Sequence, residues 1–63
     1  MNWKKTDYNE WINLDYFNCI EVVYDNELEA FRARAECSND RVYLSDHKSR
    51  EECESWLDYF MKN

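Results

Sequence analysis

Not one residue of this 63-residue chain is glycine or proline, so the backbone lacks the two residues that most often shape tight turns. Left-handed backbone positions then fall to Asn and Asp, whose short polar side chains tolerate them. Such residues stand between apolar runs at Asp25-Asn26 and at Ser38-Asn39-Asp40, and both places read as hairpin turns. The same absence removes a class of function. A loop that cradles phosphates needs glycines so that backbone amides can reach the anion.

Between these turns, Phe31, Ala33, Ala35 and Cys37 alternate with Arg32, Arg34 and Glu36 in a two-residue period, the pattern of a strand with one buried face. Local propensity opposes it. Residues 27–36 are rich in strong helix formers, and Asn26 with Glu29 imitates a capping box. The strand is preferred because strands on both sides need a neighbour and because an alanine-lined face lets a helix pack close. A helical 27–36 is the alternative. Upstream, Ile20, Val22 and Tyr24 alternate with Cys19, Glu21 and Val23, giving a strand expected at the centre of the sheet. Downstream, Val42 and Leu44 share one face and Arg41 and Tyr43 the other, while 44–49 reads as a polar connection. Residues 11–14 are taken as strand, an extension of the 19–24 run broken by a bulge, with the end of a short helix from Thr6 as the other option.

The clearest element is C-terminal. Ser49 with Glu52 makes a capping box, and Cys53, Trp56, Leu57 and Phe60 recur at helical spacing as a buried stripe. Glu51 and Glu52 in the first turn and Lys62 near the end suit the helix dipole. The expected fold is α+β: a single domain over residues 1–63, a three-stranded antiparallel meander with a C-terminal helix packed across one face.

So short a chain buries only about 60% of the surface its unfolded form exposes. Cys19, Cys37 and Cys53 are odd in number and widely spaced, which fits neither a disulfide framework nor a zinc knuckle. They are expected to be reduced, mostly buried thiols, with no metal and no cofactor. No apolar run is long enough to span a membrane, and the first residues lack the apolar core of a secretory signal, so a cytoplasmic protein is expected. His47 lies in the polar connection rather than beside a nucleophile, and little volume remains for a desolvated cleft, so no enzyme is expected.

Fourteen acidic residues against eight basic ones leave a formal charge of -6, which repels nucleic acid and anionic membrane and attracts a basic protein surface. Glu51, Glu54 and Asp58 fall on one helical face, and Asp25, Glu27 and Glu29 gather at the first hairpin turn. Together they can imitate a row of phosphates and occupy the Arg and Lys sites of a nucleic-acid-binding protein. Arg32, Arg34 and Arg41 are expected on the outer sheet face, paired with Glu21 and Glu36. Trp3, Tyr8, Tyr16, Tyr43 and Tyr59 exceed what one small core holds, and Tyr43 and Tyr59 are the candidate contacts.

The run Trp11-Ile12-Asn13-Leu14-Asp15, then Ile20-Glu21-Val22, a polar hairpin and a Ser-x-x-Glu helix ending in Trp56-Leu57 resembles small proteins of bacteria and their phages that share a W-[IV]-N-L-D opening and a meander plus helix. The resemblance covers residues 11–61 and implies an anti-CRISPR-like inhibitor of a host defence nuclease, with no catalytic residue. The expected function is therefore non-enzymatic binding to the basic surface of a CRISPR effector or another nuclease. The alternative is a self-associating module, a homodimer burying its aromatics, whose acidity only keeps it dissolved.

Overall fold

The conflict over residues 27–36 resolves as turn and strand. The computed structural model describes residues 1–62; in chain order it has β1 (Trp3–Lys5), β2 (Trp11–Asn13), a 3₁₀ turn (Leu14–Tyr16), β3 (Cys19–Asp25), β4 (Ala30–Cys37), β5 (Asp40–His47) and α1 (Arg50–Lys62). β4 pairs on both sides, Val22 with Ala33 and Ile20 with Ala35 on one, Ala33 with Ser45 and Ala35 with Val42 on the other. What defeats the helix is long-range. The Asp25 carboxylate accepts from the backbone amides of Glu27 (2.9 Å) and Leu28 (3.1 Å) much as a helix N-cap would, but the chain turns left-handed at Glu29 and Ala30–Cys37 is then paired by a strand on each side.

The left-handed positions are not where the sequence suggested. Among the described residues they are Asn9 (φ 63°) and Glu29 (φ 52°). Glu29 is the last loop residue before pairing resumes, so it bears a strain of about 1 kcal/mol that glycine would relieve. The Ser38-Asn39 turn needs no such position.

The sheet order is β3-β4-β5, antiparallel throughout. β4 is therefore central and β3, expected there, lies at an edge. Helix α1 covers the inner face, its start capped as expected: Ser49 Oγ accepts from the Glu52 amide at 3.1 Å and donates to the Glu52 carboxylate at 3.3 Å. Ala33 and Ala35 lie wholly buried beneath it with Leu44, Cys53 and Phe60, and Trp56 stacks on Phe60 at 4.7 Å. The alanines let the helix come close, as the pattern implied.

The N-terminal third differs from expectation. Residues 11–13 do form a strand, but it pairs with β1 in a separate two-stranded sheet, with Lys4 opposite Ile12. The Thr6 hydroxyl holds the intervening turn by accepting from the Tyr8 (3.1 Å) and Glu10 (3.3 Å) amides. The Asn13 side chain accepts from the Asp15 amide (3.1 Å) and starts the 3₁₀ turn that ends the strand. The hairpin adds Ile12 to the core and the turn after it adds Leu14. Its connecting loop docks on β5 at a bulge: Ala33 pairs with Ser45 and Arg34 with Tyr43, so Leu44 has no partner strand residue and its carbonyl accepts from the Asp7 amide at 2.9 Å.

The thiols are free but unequal: Cys53 is buried, Cys37 half-buried and Cys19 exposed, which corrects the expectation of mostly buried cysteines. Burial pushes the Cys53 thiol above its ordinary range, helped by Glu54. Native protein treated with iodoacetamide is expected to be modified at Cys19 first and at Cys53 only as fast as it unfolds. Peptide mass spectrometry checks this, and equal rates would mean that α1 does not stay on the sheet.

Candidate interaction surface

The bulge at Leu44 decides what the outer sheet face looks like. It turns both Leu44 and Ser45 inward, so β5 continues to His47 rather than dissolving into a connection, and Asp46 swings outward opposite Arg32. Arg32 Nε then lies 2.6 Å from Asp46, and its other arm 3.4 Å from Asp25. The guanidinium also lies over the Tyr43 ring, 3.7 Å from its centroid. Tyr8, from the N-terminal loop, borders the same cluster, and burial together with the Asp46 carboxylate raises its hydroxyl pKa above the ordinary value while Arg32 opposes the rise. Arg34 pairs with Glu21, and Glu36 lies between Arg34 (4.0 Å) and Arg41 (3.4 Å). The expected pairing with Glu21 and Glu36 is present, and all three arginines are neutralised within the sheet.

Two residues named as partner contacts, Asp25 and Tyr43, are therefore engaged inside the molecule. Burial alone would raise the Asp46 pKa, but hydrogen bonds from Tyr8 and Arg32 outweigh it and hold the carboxyl below its ordinary value. A depressed folded-state pKa contributes stability above the unfolded value of about 4 and loses it as pH falls through the folded one. Asp46→Asn is thus expected to flatten the fall in thermal midpoint between pH 5 and pH 2 while lowering the midpoint at neutral pH. Parallel melts of the two proteins across that window measure it.

On the other layer, Glu51, Glu54 and Asp58 are exposed on α1. Their spacing of three and four residues makes one stripe facing away from the sheet. Among the described residues none of the three makes an ion pair. Glu27 and Glu29 are exposed in the β3–β4 turn, and Glu29 shares a shallow depression near the start of α1 with Asp46, His47, Lys48 and Glu52. The stripe and Tyr43 lie on opposite faces of the two-layer fold, so the residues picked from the sequence do not form one site. Tyr59, 72% exposed, stands about 100° around the helix from Asp58, on the flank that meets the hairpin.

That flank borders a surface the sequence reading only half identified. Lys4 and Ile12 take the inner side of the hairpin, which sends Trp3 and Trp11 outward. Trp11 is 64% exposed. A cleft of about 330 Å³ between hairpin and helix is lined by Trp3, Lys4, Lys5, Trp11, Trp56 and Tyr59 among others. Tyr16 extends the aromatic surface on the side of β5. Trp11 was missed because nothing local in Trp11-Ile12-Asn13 shows that its partner strand turns Lys4 inward.

Ser45 Oγ and His47 Nε2 are 2.8 Å apart. The serine is fully buried, so the contact satisfies a buried hydroxyl. Among the described residues no three His, Cys, Asp or Glu side chains converge as metal ligands would, and no helix is long and apolar enough to cross a membrane. No protein-family model, curated protein or solved structure matches this chain.

Proposed function

We propose that this chain is a non-enzymatic protein-binding module that presents the acidic face of α1 to a basic, nucleic-acid-handling partner and competes with nucleic acid for that partner's Arg and Lys side chains. One asymmetry carries the reading. The sheet's arginines are all ion-paired internally, whereas Glu51, Glu54 and Asp58 stand outward with no ion-pair partner among the described residues. The sheet face is thus nearly charge-balanced, and negative charge is left on the helix and at the hairpin turn. An ordered helix holds these carboxylates in a row, which suits recognition by a groove that binds a phosphate backbone. Glu27 and Glu29 extend the row near its N-terminal end, and Tyr59 offers an aromatic contact at its flank. The partner class this reading favours is a CRISPR effector or another nuclease, with inhibition by occupancy of its nucleic-acid channel.

The test is competition. Purified nucleases, CRISPR effectors first, are incubated with the protein, and cleavage and oligonucleotide binding are followed at low and high salt. Inhibition that oligonucleotide relieves and salt abolishes is the expected result. A complex that forms while the enzyme keeps its nucleic acid, or that is indifferent to salt, overturns the proposal.

The aromatic surface of Trp3, Trp11 and Tyr16 favours a second reading, self-association that buries these rings. Sedimentation of Trp11→Ala against the unmodified protein separates the two, since the charge reading predicts no change in mass.

A further inference from the structure

Among the described residues one charged side chain is buried, and it is a lysine. Lys4 stands opposite Ile12 on the inner side of the hairpin, 9% exposed. Each arginine of the main sheet has a carboxylate beside it. Lys4 has none: among the described residues its ammonium makes no ion pair, no hydrogen bond and no contact with a ring face. A charge taken out of water without a partner disfavours the fold. It is not sealed, however. Fully enclosed side-chain nitrogens without a partner are limited, among the described residues, to Arg34 Nε, so the Lys4 ammonium is reachable, and the opening that Lys4 lines is the cleft between hairpin and helix.

We propose that this cleft binds a small aromatic carboxylate, its rings against the tryptophans and its carboxylate on Lys4. The walls select the rings. All three tryptophans of the chain, Trp3, Trp11 and Trp56, line the cleft, and Trp56 stacks on Phe60 with ring planes 17° apart, which presents a flat aromatic wall. Charge selects the anion. The chain carries -6 overall, yet here Lys4 and Lys5 outnumber Asp7, and neither lysine is ion-paired among the described residues. The cleft is thus a local reversal of sign, short in range, with a buried cation to be answered. Size limits the rest. A volume of about 330 Å³ is at the low end for ligand pockets, which run from about 300 to 1,000 Å³, and suits one or two fused rings rather than a nucleotide or a peptide. With no glycine-lined loop to add backbone amides, one ammonium matches a singly charged carboxylate better than a phosphate. The site uses none of Glu51, Glu54 or Asp58 and stands apart from the charge reading.

Three probes with one ring system and different charges test the site on the whole chain: naphthylacetate, the neutral naphthylacetamide and the cationic naphthylethylammonium. The indole N–H signals of Trp3, Trp11 and Trp56 in an isotope-labelled sample report binding by nuclear magnetic resonance. Naphthylacetate is expected to shift all three, with a dissociation constant of about 0.1–1 mM. The amide should bind about tenfold or more weakly, and the cation more weakly still. Lys4→Met keeps the apolar stem and removes the charge. It is expected to bring naphthylacetate down to the affinity of the amide while raising the thermal midpoint, because the unanswered charge is gone. Opposite effects on binding and stability separate a ligand contact from loss of the fold. The proposal is overturned if no indole signal moves at millimolar naphthylacetate, or if acid and amide bind equally, which would make the cleft an apolar surface alone. It is equally overturned if Lys4→Met leaves binding of the acid unchanged, or if its midpoint falls, which would mean that the fold itself uses the charge.

Discussion

Leu44→Ala is expected to lower the thermal midpoint by about 20 °C and to leave a large unfolded fraction at 37 °C. Leu44 has no exposed surface, and truncating a fully buried leucine costs about 3 kcal/mol, part of it for the cavity left behind. A domain of this length has a total stability of only about 3–9 kcal/mol, and in chains this small each kcal/mol moves the midpoint by roughly 4–8 °C. The position magnifies the loss. Leu44 is the bulge residue at which the β5 ladder shifts, and its carbonyl is the point where the N-terminal loop docks. Emptying its pocket loosens the bulge, and with it the contact that keeps Ile12 and Leu14 in the core. Circular dichroism melts and urea titration give the magnitude. Leu28→Ala is the control: Leu28 is exposed at the β3–β4 turn, so its loss is expected to change stability by less than about 0.5 kcal/mol. A drop of only a few degrees for Leu44→Ala would show that the hairpin and sheet hold together without this residue.

Elements with strong local periodicity are legible in the sequence, and those that depend on distant pairing are not. The α1 stripe, its capping box and the alternation of β3, β4 and β5 follow from residues a few positions apart, which is the range over which side chains share a face. The helix-like composition of 27–36 misleads only until Ala30–Cys37 is seen paired by β3 on one side and β5 on the other, a distant contact that overrides local propensity. β1 left no signal, because Trp3-Lys4-Lys5 has its apolar residue outward and a lysine inward, the reverse of the usual pattern. The same long-range dependence governs the site. Glu51, Glu54 and Asp58 were readable as an exposed row, since helical spacing alone sets it. Asp25 and Tyr43 were not readable as internal partners of Arg32, because that cluster depends on the bulge that turns Asp46 outward. Bulges carry no fixed local signature when glycine is absent. The exposure of Trp11 depends in turn on β1.

Reversing the charge of the helix stripe, Glu51→Lys with Glu54→Lys and Asp58→Lys, is expected to weaken binding to a basic partner by about a hundredfold or more at low salt. Each replacement changes the charge by two units, so the three together bring the formal -6 to zero and remove long-range attraction as well as local contacts. The fold should survive. All three side chains are exposed and none makes an ion pair among the described residues. The foreseeable structural penalty is a weaker dipole interaction at Glu51, about 0.3–1 kcal/mol. A parallel set, Glu51→Gln, Glu54→Gln and Asp58→Asn, removes charge without inverting it and is expected to lose about tenfold. At molar salt, where the screening length shrinks to about 3 Å, all three proteins should converge on one weak affinity. That convergence separates recognition of the stripe from a contact through Trp3, Trp11 and Tyr59, which salt would leave intact or strengthen. If the lysine set binds the same partner as tightly as the unmodified protein, the carboxylates are there for solubility, and the aromatic end is where a partner should be sought.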